Sequence, residues 1–365
     1  MPLPTGKEDF TGGGNGTQDD PYIIRNATDL MCMKFLLNKN RGLVYPAEGT
    51  GGAWTYFELA ADIDMAAVPE WEPLNGQLDD PNGSYIGFDG KGHTLWNFTC
   101  DKGCFIYQLT GYVKNVYFKN AYVEGSSDRI AVVAAYTRNY GPGAVLENVA
   151  VEGTVRCSTS SAVRLGGLVG YASNTDIKNC YVDVTVERPT GYIGASNGWN
   201  GTAALAGGIE RVMFIENNFI AGRVNGEGDC TGAIVGVGES NVGDPAGDRP
   251  DVAYRTEMYI KNNIVWCSEL SVNNARYGVA SLVGGYYHAS KGKGWISNDN
   301  YARSDMNILE NGAPRADIEY DGASGYSGLD CEYETADPIA TARALGWSED
   351  YWDLSGETPI LKICK

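Results

Sequence analysis

An all-β, single-stranded parallel β-helix of irregular coils, expected to be right-handed, is the fold class this sequence predicts. Three observations lead there. A unit made of a short apolar strand, a turn and a second strand carrying asparagine recurs along most of the chain. Glycine accounts for 48 of the 365 residues and tyrosine for 23, the composition of a chain rich in turns and strands. Helical patterns are confined to short stretches near the two ends.

The repeat is clearest at 164–186, RLGGLVGYASNTDIKNCYVDVTV. Leu165 to Tyr171 reads as one strand, Ala172–Asp176 as a turn, and a second strand starts at Ile177. Residues 103–125, 130–153, 203–226, 232–265 and 279–301 keep that order, and 88–99 resembles the second half of a unit. A strand of Gly, Ala, Leu and Val cannot bury its apolar face alone. Stacking the next coil about 4.8 Å away covers the face and satisfies the backbone. Gly166, Gly167 and Gly170 allow the close approach this requires.

Seven asparagines recur in that context: Asn97, Asn115, Asn148, Asn179, Asn218, Asn263 and Asn300, separated by 18, 33, 31, 39, 45 and 37 residues. Asparagine tolerates left-handed turns, and its amide donates and accepts, so the spacing predicts one stacked ladder of side chains. The uneven spacing predicts loops of different length on a regular stack.

A solenoid needs covered ends. Residues 1–40 are read as an N-terminal arm, a strand at Pro21–Arg25 and a capping helix beginning at Thr28, with Leu30, Met33 and Leu37 on one face. Residues 41–325 are read as the coils, with a long insertion near 238–256. Residues 326–365 are read as a C-terminal helix and capping strand. Asp337-Pro338 starts that helix, Gly346 ends it, and Trp347 and Trp352 are expected to pack on the last coil.

The formal charge of −18 and the pI near 4.5 argue against nucleic acid, which requires a basic footprint. No apolar run reaches membrane-spanning length, so no membrane insertion is expected. The start MPLPTGKEDFTGGG lacks the basic and apolar regions of a secretory signal. A protein reaching its place without one, such as a bacteriophage structural protein, fits that start, as does removal of a signal.

The nine cysteines match no zinc spacing, and several lie among apolar strand residues, so most are read as buried thiols. Cys100 and Cys104 are near enough in sequence to bridge, and their disulfide state stays open.

Chemistry is sparse. His93 lies in a turn entering a strand and reads as structural. His288 follows Tyr286 and Tyr287 at a strand end near Lys291 and Lys293, which makes Tyr286, Tyr287 and His288 the candidate binding residues. Tyr136, Tyr140, Tyr171 and Tyr192 also lie near strand ends, where exposed rings stack on sugars. No catalytic set, metal site or cofactor is expected. Asp62, Asp64, Asp79 and Asp80 are spread out, and calcium has one place to go, the loop GDPAGDRPD with Asp244, Asp248 and Asp251.

The segments GGLVGYASN…IKNCYV at 166–182, LVGGYY…ISNDNY at 282–301 and FDGKGHTLWNFT at 88–99 resemble the GLUG-repeat proteins of bacteria. The opening at 14–30 and the ending at 345–362 resemble that family's start and finish. AVVAAY at 131–136 and GAIVGV at 232–237 depart from its Gly-Leu-Val-Gly unit. The resemblance implies a secreted or surface-displayed, adhesin-like β-solenoid and supplies no catalytic residues. The expected function is therefore non-enzymatic attachment to a glycan or a host or bacterial surface protein. Its expected place is the extracellular space or cell surface, or a virion, where a fibre or spike would be a trimer. The alternative is a polysaccharide lyase or glycoside hydrolase using one solenoid face.

Overall fold

The computed structural model describes residues 2–38, 54–75, 84–137, 144–158, 163–189, 200–228, 230–240, 258–274, 278–288, 295–316 and 328–365. The chain is a parallel β-helix. From Tyr22–Ile24 onward each strand pairs in parallel with the strand one coil later: Tyr22–Ile24 with Trp54–Leu59, then Tyr85–Trp96, Gly111–Gly125 and Ala144–Cys157. The series continues through Tyr181–Glu187, Phe219–Glu227 and Ile264–Asn273 to Tyr301–Arg303 and Tyr333–Thr335.

A complete coil has three strand tracks. In the coil spanning 163–189, Arg164–Gly166 forms the short track, Val169–Lys178 the second and Tyr181–Glu187 the third. The first strand expected at Leu165–Tyr171 is thus broken by a bend at Gly167–Leu168. The turn expected at 172–176 is only a left-handed Asn174, φ 50°, inside a continuous strand. Gly167 is required at its bend, because a Cβ there would lie 2.1 Å from the Ala204 carbonyl oxygen of the next coil. In other coils the place of Asn174 falls between 137 and 144, 240 and 258, and 288 and 295, outside the described residues. The long insertion belongs there, and residues 241–257 lie outside the described residues.

The corner between the second and third tracks is where asparagine acts. Asn115, Asn148, Asn179, Asn217, Asn262 and Asp299 hold φ between 51° and 57° at matching places in six successive coils. Only glycine, asparagine and aspartate visit that conformation at low cost. The single ladder predicted from the sequence is therefore two neighbouring columns. Asn115, Asn148 and Asn179 belong to the corner column, and Asn148 donates to Asn115 at 2.9 Å. Asn218, Asn263 and Asn300 stand one residue later, point inward and are completely buried. Asn97 belongs to neither column: it donates to Asp64 and accepts from Asn120.

The inward ladder is fully satisfied. Asn218 donates to Asn263 Oδ1 at 2.9 Å and to the Ile177 carbonyl at 3.1 Å. Asn263 donates to Asn300 Oδ1 at 2.8 Å and to Ile215 at 2.9 Å. Each Oδ1 also accepts the backbone N–H of the residue one coil earlier. Glu332 ends the run, its Oε2 accepting from both the Asn300 backbone and amide at 2.9 and 3.1 Å. A carboxylate suits that last place because it accepts without needing to donate. Toward the N-terminus the column becomes Cys180, whose thiol reaches the Leu146 carbonyl at 3.5 Å, and then Val149 and Val116.

The main core runs inside the coils. Phe88, Phe98, Phe105, Phe118 and Trp71 fill its N-terminal part, and smaller aliphatics take over further along. Helix α1 (Ala27–Leu36) closes that end, capped by Asn26 and burying Leu30, Met31, Cys32, Met33 and Leu36. It starts one residue before the expected Thr28 and ends at Leu36.

The C-terminal segment does not close the last coil. After helix α2 (Pro338–Ala344), capped by Asp337, the chain turns back and runs along the outside of the stack. Trp347 Nε1 donates to the Asn262 carbonyl at 3.1 Å, Tyr351 reaches Glu147 at 3.1 Å, and Ile363 approaches Gly92. The covered flank is the outward column Tyr117, Ala150, Tyr181, Phe219 and Ile264, with Tyr181 and Phe219 stacked at 5.8 Å. An apolar outward column cannot stay exposed, and Trp347, Trp352, Leu354 and Leu361 cover it. At the terminal coil an antiparallel hairpin, Asn307–Glu310 with Ala313–Pro314, covers one edge instead.

All nine cysteines are free thiols. Cys100 and Cys104 do not bridge: the Cys100 thiol points to the Cys104 carbonyl oxygen at 3.4 Å.

Candidate binding surface

The third track carries a broad face that the C-terminal segment leaves open. Strict alternation positions it. In Val182-Asp183-Val184-Thr185-Val186-Glu187 the valines are buried and the other side chains project outward. In-register stacking repeats this across five coils. Tyr122, Thr154, Thr185, Arg223 and Glu269 form one outward row, with Asn307 beyond them. Glu124, Arg156, Glu187, Asn225 and Ser271 form the next. Local bonds hold the rows: Tyr122 donates to Glu124 at 2.7 Å, Arg223 pairs with Glu269 at 3.2 Å and Ser271 donates to Asn225 at 2.8 Å.

Along the margin of this face Glu152 and Asp183 are register partners on adjacent coils. Partial desolvation, and then the Glu152 carboxylate, push the Asp183 carboxyl above its ordinary value, although the residue as a whole is exposed. Burial and Glu152 likewise raise the Tyr117 hydroxyl.

The aromatic side chains proposed from the sequence are arranged differently from a sugar platform. Tyr136 and Tyr171 do come together, stacked at 5.5 Å, but both are buried. The Arg129 guanidinium lies 4.8 Å from the Tyr136 ring, and that of Arg164 lies 4.2 Å from Tyr171 in the room left by Gly208. Phe214 and Tyr259 stack at 4.9 Å on another outward column, with Lys178 over Phe214. In each stack one coil's ring covers the next coil's ring, so the faces a sugar would need are occupied. Tyr140 and Tyr192 lie outside the described residues. Tyr286, Tyr287 and His288 close the strand Val283–His288, with Tyr287 beside Glu239 and His288 beside Ser240 in register. Their side chains lie outside the described part of the structure.

The other polar candidates read as local structure. His93 Nδ1 is 3.0 Å from Asp62, which also accepts from the Thr94 backbone. Asp64 caps the short helix Met65–Ala67 and holds Asn97. Asp79, Asp80, Asp244, Asp248, Asp251, Lys291 and Lys293 lie outside the described residues. Among the described residues no three His, Cys, Asp or Glu side chains come together as a metal site. The Glu152–Asp183 pair and the Thr154–Thr185 row escaped the sequence reading, although the alternation in YVDVTVE was there to mark them.

Residues 161–187, which take in all three strands of the coil described above, match the family model of the GLUG motif. The chain carries a GLUG motif. It is 29% identical over 172 residues to halomucin of Haloquadratum walsbyi, a match covering 43% of this chain and 2% of halomucin. It is 30% identical over 155 residues to a protein of Evansella cellulosilytica named as a candidate Gly-rich membrane protein, covering 38% of this chain and 15% of that one. The GLUG-motif chain thus spans a small fraction of these curated relatives. A crystal structure of a candidate immunoglobulin A1 protease from Bacteroides ovatus superposes with a TM-score of 0.72 at 24% identity, covering 100% of this chain and 98% of that one. The likeness gives the GLUG-motif chain its β-helix fold. No helix in its described residues is long and apolar enough to cross a membrane.

Proposed function

We propose that this β-helix is a non-enzymatic module of a cell surface that attaches to a surface protein or glycan through its third-track face. The observation that carries the reading is the contrast between the two neighbouring flanks. The apolar column from Tyr117 to Ile264 is sealed by the chain's own C-terminal segment. The adjacent rows from Tyr122 to Glu269 carry polar side chains that are exposed or partly exposed among the described residues over five coils. Such a face suits contacts by hydrogen bonds and paired charges, the chemistry of a polar interface. The names of the relatives, halomucin and a Gly-rich membrane protein, support a place at the cell surface.

The test is binding of the purified chain to a glycan array and to whole cells, with Arg223→Glu and Thr185→Arg compared against wild type. Saturable binding weakened tenfold or more by either substitution is the expected result. Binding that both variants retain in full would move the site elsewhere. The mass in solution separates two versions, because a virion spike would be a trimer and an adhesin a monomer.

One observation favours a second reading, a polysaccharide hydrolase. Glu152 and Asp183 stand one strand spacing apart, about 4.8 Å along the stack, near the separation of a retaining carboxylate pair. Incubation with acidic and neutral polysaccharides should then release reducing ends, and should stop doing so in Glu152→Gln. No product from any of them removes this reading.

A further inference from the structure

We propose that Trp96 and Tyr122 form a sugar-stacking subsite at the N-terminal end of the third-track face, and that its ligand is an uncharged glycan. The inference rests on the reading that this face attaches to a surface, and it names the chemistry of what is attached. Five large apolar side chains are exposed among the described residues: Leu3, Trp96, Tyr122, Leu329 and Tyr333. Leu3 belongs to the N-terminal arm, and Leu329 and Tyr333 to the last turn of the stack. Trp96 and Tyr122, 37% and 40% exposed, are the pair within the stack. The register sets Trp96 against Lys119 and Thr99 against Tyr122. The two residues are therefore one coil apart and at most about 10 Å apart along the strand. Single exposed apolar side chains are ordinary, but two rings on successive coils offer stacking surface to one short oligosaccharide.

Trp96 differs from the stacked aromatics of the other columns. Tyr136 meets Tyr171 in register and Phe214 meets Tyr259, whereas the register neighbours of Trp96 are Asp64 and Lys119. Asp64 turns its carboxylate to the Asn97 amide at 2.8 Å and the Ala66 backbone at 3.0 Å. The Lys119 ammonium lies 4.7 Å from the Trp96 ring and 5.5 Å from that of Tyr117, and makes no ion pair with a carboxylate among the described residues. It pins the indole by a cation–π contact and leaves N–H donors for hydroxyls that arrive at the ring. Tyr122 is held by its own bond to Glu124 at 2.7 Å. The corner between the rings is braced as well: Asn97 and Asn120, at φ 55° and 54°, are joined at 2.6 Å. Rings fixed in advance lose little freedom on binding.

Charge decides between classes of glycan. Beside Trp96 the cation Lys119 is matched by Asp64, and beside Tyr122 the cation Arg156 is matched in register by Glu124. The local charges cancel, while the chain as a whole carries −18. A polyanionic chain would gain no net attraction at the rings and would meet the repulsion of the remaining surface. A neutral glycan meets neither cost: its apolar ring faces stack on Trp96 and Tyr122, and its hydroxyls take the donors and acceptors around them.

Oxidation of the full chain by N-bromosuccinimide, mapped by peptide mass, reads the site directly. Trp96 should be modified ahead of Trp54, Trp71, Trp347 and Trp352, which are buried, and of the half-buried Trp266. Cellohexaose, mannohexaose and maltohexaose are the neutral probes and polygalacturonate the anionic one. At least one neutral probe should slow oxidation of Trp96 several-fold, and polygalacturonate should not. Calorimetry with that probe should show binding weakened tenfold or more by Trp96→Ala and several-fold by Tyr122→Ala, with most of it kept by Trp96→Phe. Far-UV circular dichroism checks that each variant folds. No protection by any neutral probe, protection by polygalacturonate alone, or full binding by either alanine variant overturns the proposal. Whole-cell attachment separates it from the reading it rests on. Attachment lost in Arg223→Glu but unchanged in Trp96→Ala removes the subsite and keeps the face. Attachment kept by Arg223→Glu and Thr185→Arg but lost in Trp96→Ala removes the broad face and keeps the subsite.

Discussion

The Asn218 side chain donates to Asn263 at 2.9 Å inside the coil stack, and Asn263 repeats the bond to Asn300 at 2.8 Å. Both amides are fully buried and use both donors, while the Asn218 oxygen accepts from the Cys180 backbone and the Asn263 oxygen accepts twice from Asn218. A polar column survives in an apolar core only when its bonds are complete.

Asn263→Leu should therefore be costly. It leaves the backbone and amide donors of Asn218 without their acceptor and frees the Ile215 carbonyl. Unsatisfied buried groups cost about 1–3 kcal/mol each, so a loss of roughly 3 kcal/mol is expected, read as a lowered urea midpoint. Cys180→Ser, which keeps a donor toward Leu146, should cost far less.

Trp352 is completely buried between the C-terminal segment and the flank it covers. Trp352→Ala should destabilise docking of the C-terminal segment by about 3–5 kcal/mol. Limited proteolysis should then cut within 338–365 while the coils stay resistant, and the bared Tyr117–Ile264 flank should promote association, visible by light scattering.

Gly153 has φ 146°, and a Cβ there would lie 2.0 Å from the Ala121 carbonyl oxygen. The obstacle is backbone of the neighbouring coil and cannot swing aside. Gly153→Ala should lower the thermal midpoint markedly, whereas Gly312→Ala, with open space around it, should show only the smaller strain of its own positive φ.

Burial raises the Cys180 and Cys267 thiols to about 12. Neither should react with iodoacetamide at about pH 8 in the native state, and both should react in denaturant, as intact mass would record. The same measurement without reductant should show no loss of mass from a Cys100–Cys104 bridge.

The Arg315–Asp330 pair fastens the C-terminal coil, with Asp330 also accepting from Ser281. Burial raises the Asp330 carboxyl, but the bonds from Arg315 and Ser281 outweigh it and hold it below 3.8. A lowered value means stability that is present above 3.8 and fades as pH falls through the folded-state value. Asp330→Asn should melt earlier than wild type at pH 7, and the two melting points should converge as the medium is taken well below pH 3.8.

The coil order, the α1 cap and the Asp337 start of α2 were legible in the sequence because each rests on neighbours a few residues apart. The asparagine columns were only partly legible. ENNF at 216–219 and KNNI at 261–264 each contain a corner residue and an inward residue side by side. Their separation depends on which one meets Asn179 and which meets Cys180 across the stack. Tyr136 and Tyr171 were found, but not that their faces are taken by each other and by Arg129 and Arg164.

By itself, the sequence determined that this chain piles up: short apolar strands with glycine at their bends cannot cover themselves, and recurring asparagine sets the corners. Only the tertiary structure decided that the last 28 residues, 338–365, fold back along the outside. The apolar column they cover consists of single residues roughly 30–45 positions apart, one per coil. It exists as a surface only once the coils are in register.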